Sequence, residues 1–139
     1  MRNVFVRLEY WLGNFVICGS WALYLQGIVS RYNPKEIDVI CNVNKDRFDN
    51  LWYFKKHTSN RFNSQGWSTS VEDVNIDIFN KPLPEYDIIS FEDYTVKVKS
   101  IKALEEHYKS IDISQMTGNE KFLLKIQDRV KLFSRSYSL

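Results

Sequence analysis

Hydrophobic positions recur along this chain with two periods, one helical and one alternating. In residues 2–12, Val4, Leu8, Tyr10, Trp11 and Leu12 fall at near-helical spacing, which predicts an amphipathic helix closed by Gly13-Asn14. The unbroken apolar run Phe15-Val16-Ile17-Cys18 predicts a short buried strand. Gly19-Ser20 then turn the chain into an apolar helix, Trp21 to Gln26, that stops at Gly27. A polar loop with Arg31, Asn33 and Pro34 leads into Glu36-Ile37-Asp38-Val39-Ile40-Cys41. Side chains alternate along a strand, so Glu36 and Asp38 leave one face while Ile37 and Val39 enter the other.

Farther along, Asn44 or Asp46 is placed to cap a helix whose stripe is Phe48, Leu51, Trp52 and Phe54-Lys55, running to about His57. Thr58 to Gln65 is polar and aperiodic, a predicted loop. Gly66 to Phe79 alternates as a hairpin or one long strand, with Val74, Ile76 and Ile78 on one side and Asp73, Asn75 and Asp77 on the other. Lys81-Pro82-Leu83-Pro84 interrupts the pattern. Tyr94 to Val98 predicts a short strand with its lysine outward, expected at a solvated edge. Ser100 caps a helix through about Tyr108, and Thr117 to Phe133 predicts a second, with Phe122, Leu123, Ile126, Val130 and Phe133 on one face. This succession implies an α/β (α+β) fold, a single domain over 1–139 with a mixed central sheet flanked by helices. Its core spans about 14–100 and its C-terminal helices about 100–134.

Composition narrows the picture only at its margins. With 44% hydrophobic and 15% aromatic residues, the 139-residue chain can build one packed core, which argues against disorder. A formal charge of +2 is too small to imply nucleic-acid binding by itself. Arg2, Arg7 and Glu9 break any signal-peptide core, and no apolar run reaches membrane-span length, so a cytoplasmic setting without membrane contact is expected. Cys18 and Cys41 read as reduced core residues, and no Cys/His metal pattern occurs. His57 and His107 read as exposed.

Two carboxylates two residues apart on one strand face, opposite a Gly-Ser turn at a helix N-terminus, make a plausible metal and phosphate site. This order of strand, Gly-Ser turn, apolar helix, Arg-bearing loop and acid-x-acid strand resembles the nucleotidyltransferase superfamily with the DNA-polymerase-β-like fold. It is most similar to the small stand-alone bacterial and phage members, over roughly residues 14–100. Gly19-Ser20 match the family's phosphate-gripping turn, and Glu36 and Asp38 its first two metal-binding acids. Asp77, in Val74-Asn75-Ile76-Asp77-Ile78-Phe79, matches the third, with Asp73 a competitor on the same predicted face. The first acid of the family is usually Asp, and here it is Glu36.

The resemblance implies Mg²⁺ held by Glu36, Asp38 and Asp77, and transfer of a nucleoside monophosphate from a nucleoside triphosphate to an acceptor hydroxyl. The resemblance leaves the acceptor as a small molecule, an RNA end or a protein hydroxyl, and so short a chain leaves room for a protein partner that completes the site. Gly19 and Ser20 would hold the phosphates, and Arg31 or Lys35 would neutralise them. Two other classes stay open. One is a nucleotidyltransferase-like module that has lost catalysis and serves binding or assembly, favoured by Glu36. The other is a basic nucleic-acid-binding domain using the lysines between Lys97 and Lys109 and the tail.

Overall fold

The alternation read in Glu36–Cys41 becomes the middle of a seven-stranded mixed sheet. The structure, a computed structural model, describes residues 1–59, 64–111 and 120–136. The elements are α1 (Arg2–Leu12), β1 (Phe15–Cys18), α2 (Gly19–Leu25), β2 (Glu36–Cys41), β3 (Lys55–Ser59), β4 (Ser64–Val71), β5 (Val74–Asn80), β6 (Tyr86–Phe91), β7 (Tyr94–Lys99), α3 (Ile101–Ser110) and α4 (Glu120–Ser136). Across the sheet the strands run β3-β4-β5-β2-β1-β7-β6. β2 pairs parallel with β5 and β1 parallel with β7, and the other neighbours are antiparallel.

Register sorts the side chains. Trp67, Ile78, Val39, Ile17 and Val98 are successive partners across five strands, and each is at most 3% exposed. This row is the apolar floor of the core. Phe5 of α1 and Trp21 of α2, both essentially buried, meet edge to face with ring centroids 6.3 Å apart. Trp21 also donates its indole N–H to the Asn33 carbonyl, satisfying the one polar atom it buries. Ser100 caps α3 by accepting from the Ala103 N–H at 3.1 Å.

Four sequence expectations need correction. The helix expected over 48–57 is a series of turns followed by β3, with Leu51 N–H bonded to the Phe48 carbonyl and Phe54 N–H to the Leu51 carbonyl. The physical reason is the stack of Phe48 on Phe54, 4.2 Å between centroids and 9° between planes, edge-on to Trp67. Residues six apart lie about 120° apart around an α-helix, so a helix could not aim both rings at one pocket. Trp52, between them, is left 93% exposed. Second, β7 is not an edge strand: β6, invisible as a pattern, covers it through a tight hairpin turn at Glu92-Asp93. β6 is itself the edge, so its faces carry mixed residues and no clean alternation.

Third, Gly66 to Phe79 is a hairpin whose turn residues, Glu72 and Asp73, both have positive φ (48° and 66°). That is the left-handed geometry of a two-residue hairpin, and it takes Asp73 off the strand. Fourth, His57 lies on β3 and is half-buried, with Nε2 buried and without a hydrogen-bond partner, and His107 is half-buried on α3. Both cysteines are buried free thiols, and the antiparallel register sets them at opposite ends of the β1–β2 pair. Residues 60–63 of the predicted loop, the start of the last predicted helix (117–119) and the side chains of Phe122 and Leu123 lie outside the described residues. No helix among the described residues is long and apolar enough to cross a membrane.

Gly66 packs against the hairpin backbone, where an added Cβ would stand 1.8 Å from the Ile78 carbonyl oxygen. Gly66→Ala is therefore expected to cost about 1–3 kcal/mol or more, as overpacking does, lowering the urea midpoint at unchanged slope. An unaltered midpoint would refute the packing described.

Candidate active site

One residue along from the apolar row, the same register writes a polar row on the opposite face. Ser68 pairs with Asp77, Asp77 with Asp38, and Asp38 with Cys18, across β4, β5, β2 and β1. Glu36 lies two residues away on the same face, opposite Asn75. The row forms the wall of a cleft of about 560 Å³, closed on its far side by Leu104, His107 and Tyr108 of α3 and Lys125 and Ile126 of α4. That volume suits a nucleotide-sized ligand.

Asp38 is the crowded member. Its Oδ2 would lie 2.4 Å from a Cβ added to Gly19, so the carboxylate rests directly on the Gly19 backbone. Gly19 also has φ +65°, a conformation that glycine adopts without steric cost. The residue thus serves the site twice. It is the first residue of α2 rather than part of a separate turn, and Ser20 follows it at the cleft wall.

Burial, then the charge of Asp77, push the Asp38 carboxyl from 3.8 up to about 6, with Lys125 opposing and Glu36 adding more weakly. Asp77 is oriented by Ser68, whose Oγ donates to Oδ1 at 2.7 Å. Neither carboxylate forms an ion pair among the described residues. Cys18, at the end of the row, is pushed up to about 12 by burial and by Asp38, so it is a neutral thiol and no nucleophile.

Among the described residues no three His, Cys, Asp or Glu side chains converge closely enough to cage a metal ion. Glu36 is exposed and feels Asp38 through space without joining it at bonding distance. The pair Asp38 and Asp77 nonetheless fits Mg²⁺, which binds one or two carboxylates, keeps several waters and takes further oxygens from phosphate. Two carboxylates side by side on one face of the sheet offer the hard oxygen donors such an ion takes.

Of the cations anticipated from sequence, Arg31 and Lys35 are exposed on the loop and neither lines the cleft. Lys81, Lys99 and Lys125 line it instead. Lys99 follows Val98, the β7 partner of Ile17, so it extends the polar row beyond Cys18. It is only 6% exposed, and its ammonium makes no hydrogen bond or ion pair among the described residues. Burial and the neighbouring Lys81 lower its pKa, and burial together with both lysines pushes His107 down to about 4, so that imidazole is neutral. Ser68, Lys99 and His107 were not legible as site residues, because only strand pairing and the docking of α3 bring them to the acids.

The lysines between 97 and 109 have separate settings: Lys97 donates to Asn14, Lys99 lines the cleft, Lys102 is exposed, and Lys109 pairs with Glu105 one helical turn away.

No family model matches the chain, and no curated protein matches its sequence. A solved structure does: a Thermotoga maritima protein described as a "putative nucleotidyltransferase" superposes with a TM-score of 0.59 at 14% identity. The match covers 91% of this chain and 92% of that one. At such identity the likeness is one of architecture. The chain has a nucleotidyltransferase-like fold, with the acids anticipated from that resemblance on one face of its central strands.

Proposed function

We propose that the cleft transfers a nucleoside monophosphate from a nucleoside triphosphate to an acceptor hydroxyl. The observation that carries this reading is the facing pair of carboxylates, Asp38 and Asp77, held without an ion pair in a nucleotide-sized cleft. The shared architecture agrees with it. Asp38 and Asp77 would hold Mg²⁺, with Glu36 two residues away on the same face. When bound, the ion supplies positive charge for the phosphoryl oxygens and lowers the pKa of the acceptor hydroxyl.

The chain's own groups then have separate tasks. Gly19 lets the Asp38 carboxylate and the substrate phosphates approach the backbone, and the Ser20 hydroxyl donates to a phosphate oxygen. Ser68 fixes Asp77 through Oδ1, leaving Oδ2 to take the acceptor proton. The acceptor oxygen forms a bond to the α-phosphorus as the bond from that phosphorus to the bridging oxygen breaks, and pyrophosphate leaves. One observation favours a second reading, a nucleotide-binding module without transfer: Glu36 is exposed and joins no three-carboxylate cluster.

Calorimetry of the four ribonucleoside triphosphates with Mg²⁺ separates these readings from no function at the cleft. Micromolar binding that Asp38→Asn weakens at least tenfold, followed by pyrophosphate release with an acceptor, supports transfer. Binding without release in any acceptor screen supports the module, and no binding to any nucleotide overturns both.

Two further outcomes follow from the geometry. Because folding raises the Asp38 pKa, the folded state binds the proton more tightly than the unfolded chain. Its penalty is absent below about pH 4, grows as pH rises and is complete above about pH 6. Asp38→Asn should therefore stabilise the protein at pH 7 by about 1–3 kcal/mol and bring no gain near pH 4. Equal urea midpoints at pH 7 would contradict the unpaired-carboxylate picture. Gly19→Ala must displace the Asp38 carboxylate and strain the backbone. It should abolish Mg²⁺-nucleotide binding in calorimetry while leaving far-ultraviolet circular dichroism unchanged.

A further inference from the structure

We propose that a second pocket, at the β3 edge of the sheet, binds a small oxyanion of phosphate size. Among the described residues it shares no lining residue with the acid cleft. It therefore stands whether or not the cleft transfers nucleotides.

The pocket forms where three pieces of chain meet. Lys56 and His57 come from β3, Gly66 and Trp67 from β4, and Lys45 from the segment after β2. Strand pairing sets His57 opposite Gly66 and Lys56 opposite Trp67. Gly66 makes room for the imidazole, since a Cβ there would stand 2.8 Å from His57 Cε1. The volume of about 150 Å³ admits a phosphate-sized group and falls below the range of nucleotide pockets.

Two buried side-chain atoms among the described residues lack a hydrogen-bond partner, Trp67 Nε1 and His57 Nε2, and both residues line this pocket. Trp67 is 3% exposed, so bulk water does not serve its N–H. A buried indole ordinarily finds an acceptor, as Trp21 does at the Asn33 carbonyl. The Phe48 ring, 4.9 Å from that of Trp67 and nearly perpendicular to it, is a weak acceptor by comparison. An indole N–H donates and never accepts, so the missing partner is an acceptor.

Charge narrows that acceptor to an anion. Lys45 and Lys56 line the pocket, and among the described lining residues there is no carboxylate. Asp49 pairs with Lys56 at 2.6 Å, but Lys45 has no ion pair among the described residues. The Asn80 amide, also in the lining, is committed to the Val43 backbone in both directions. What remains is a set of donors from three elements: an indole N–H, an ammonium and, in its Nε2–H tautomer, an imidazole. An oxyanion supplies several acceptor oxygens to such a set, and its charge strengthens each hydrogen bond.

The test follows the Trp67 N–H itself. The chain has four tryptophans, so the isotope-labelled protein gives four indole N–H resonances, assigned by through-bond correlation. The whole chain is titrated with inorganic phosphate, with ionic strength held constant by potassium chloride. The proposal expects a saturable downfield shift of the Trp67 resonance while those of Trp11, Trp21 and Trp52 stay in place. It expects Kd to weaken about fivefold or more in Lys45→Met and further in Lys45→Glu. Lys102→Met, on the exposed side of α3, should bind as wild type does. Lys45 is exposed, so neither of its variants disturbs the core. A Trp67 resonance that phosphate does not move overturns the proposal, because water or the Phe48 ring then serves the N–H. A shift that never saturates, or that chloride alone reproduces, overturns it as diffuse attraction to surface lysines. Saturable binding that Lys45→Glu leaves unchanged places the anion elsewhere and overturns it too.

Discussion

The contact of the Asp38 carboxylate with the Gly19 backbone is the constraint on which the site depends. It exists because β1 ends where α2 begins, and because β1 and β2 pair with Cys18 opposite Asp38. A slip of one residue in that pairing would turn Asp38 into the apolar layer and Val39 into the cleft. The core forbids such a slip: Ile17, Val39, Ile78 and Trp67 would all leave the layer they fill. Hydrophobic packing on one face of the sheet therefore fixes the geometry of the acids on the other.

Holding the acids this way carries an electrostatic cost. Asp38 and Asp77 stand side by side on parallel strands, and burial and the Asp77 charge raise the Asp38 carboxyl, with Lys125 acting against them. Like charges held together inside one cleft are a poor arrangement for stability and a good one for binding a cation. The sheet tolerates the arrangement because its apolar face is continuous and the aromatic contacts among Phe5, Trp21, Tyr32 and Phe91 tie α1 and α2 to the β6 edge.

The 48–54 segment shows the reverse case, in which pairwise aromatic packing overrode local periodicity. Phe48, Leu51 and Phe54 are spaced as a helix would space them, yet the Phe48–Phe54 stack under Trp67 requires turns. The Arg47 guanidinium donating to the Trp11 carbonyl holds those turns against the end of α1. A one-dimensional pattern records spacing but not which partner a ring will choose.

By itself the sequence determined the elements with clear period, α1, β1, β2, β5 and α3, because burial of one face leaves alternation or helical spacing in the residues. It determined too that Glu36 and Asp38 share a face, since that follows from strand geometry alone, and the choice of Asp77 followed from its place among apolar residues. What only the tertiary structure decided is which residues sit beside those acids. Asp73 left the candidate site when the hairpin turn claimed it, and Glu36 stayed at the exposed rim. Ser68 reached Asp77 through β4, and Lys99 entered the cleft because the parallel pairing of β7 with β1 sets it beside Cys18. Register between strands far apart in sequence is set by the joint packing of all of them, and no local stretch of residues contains it.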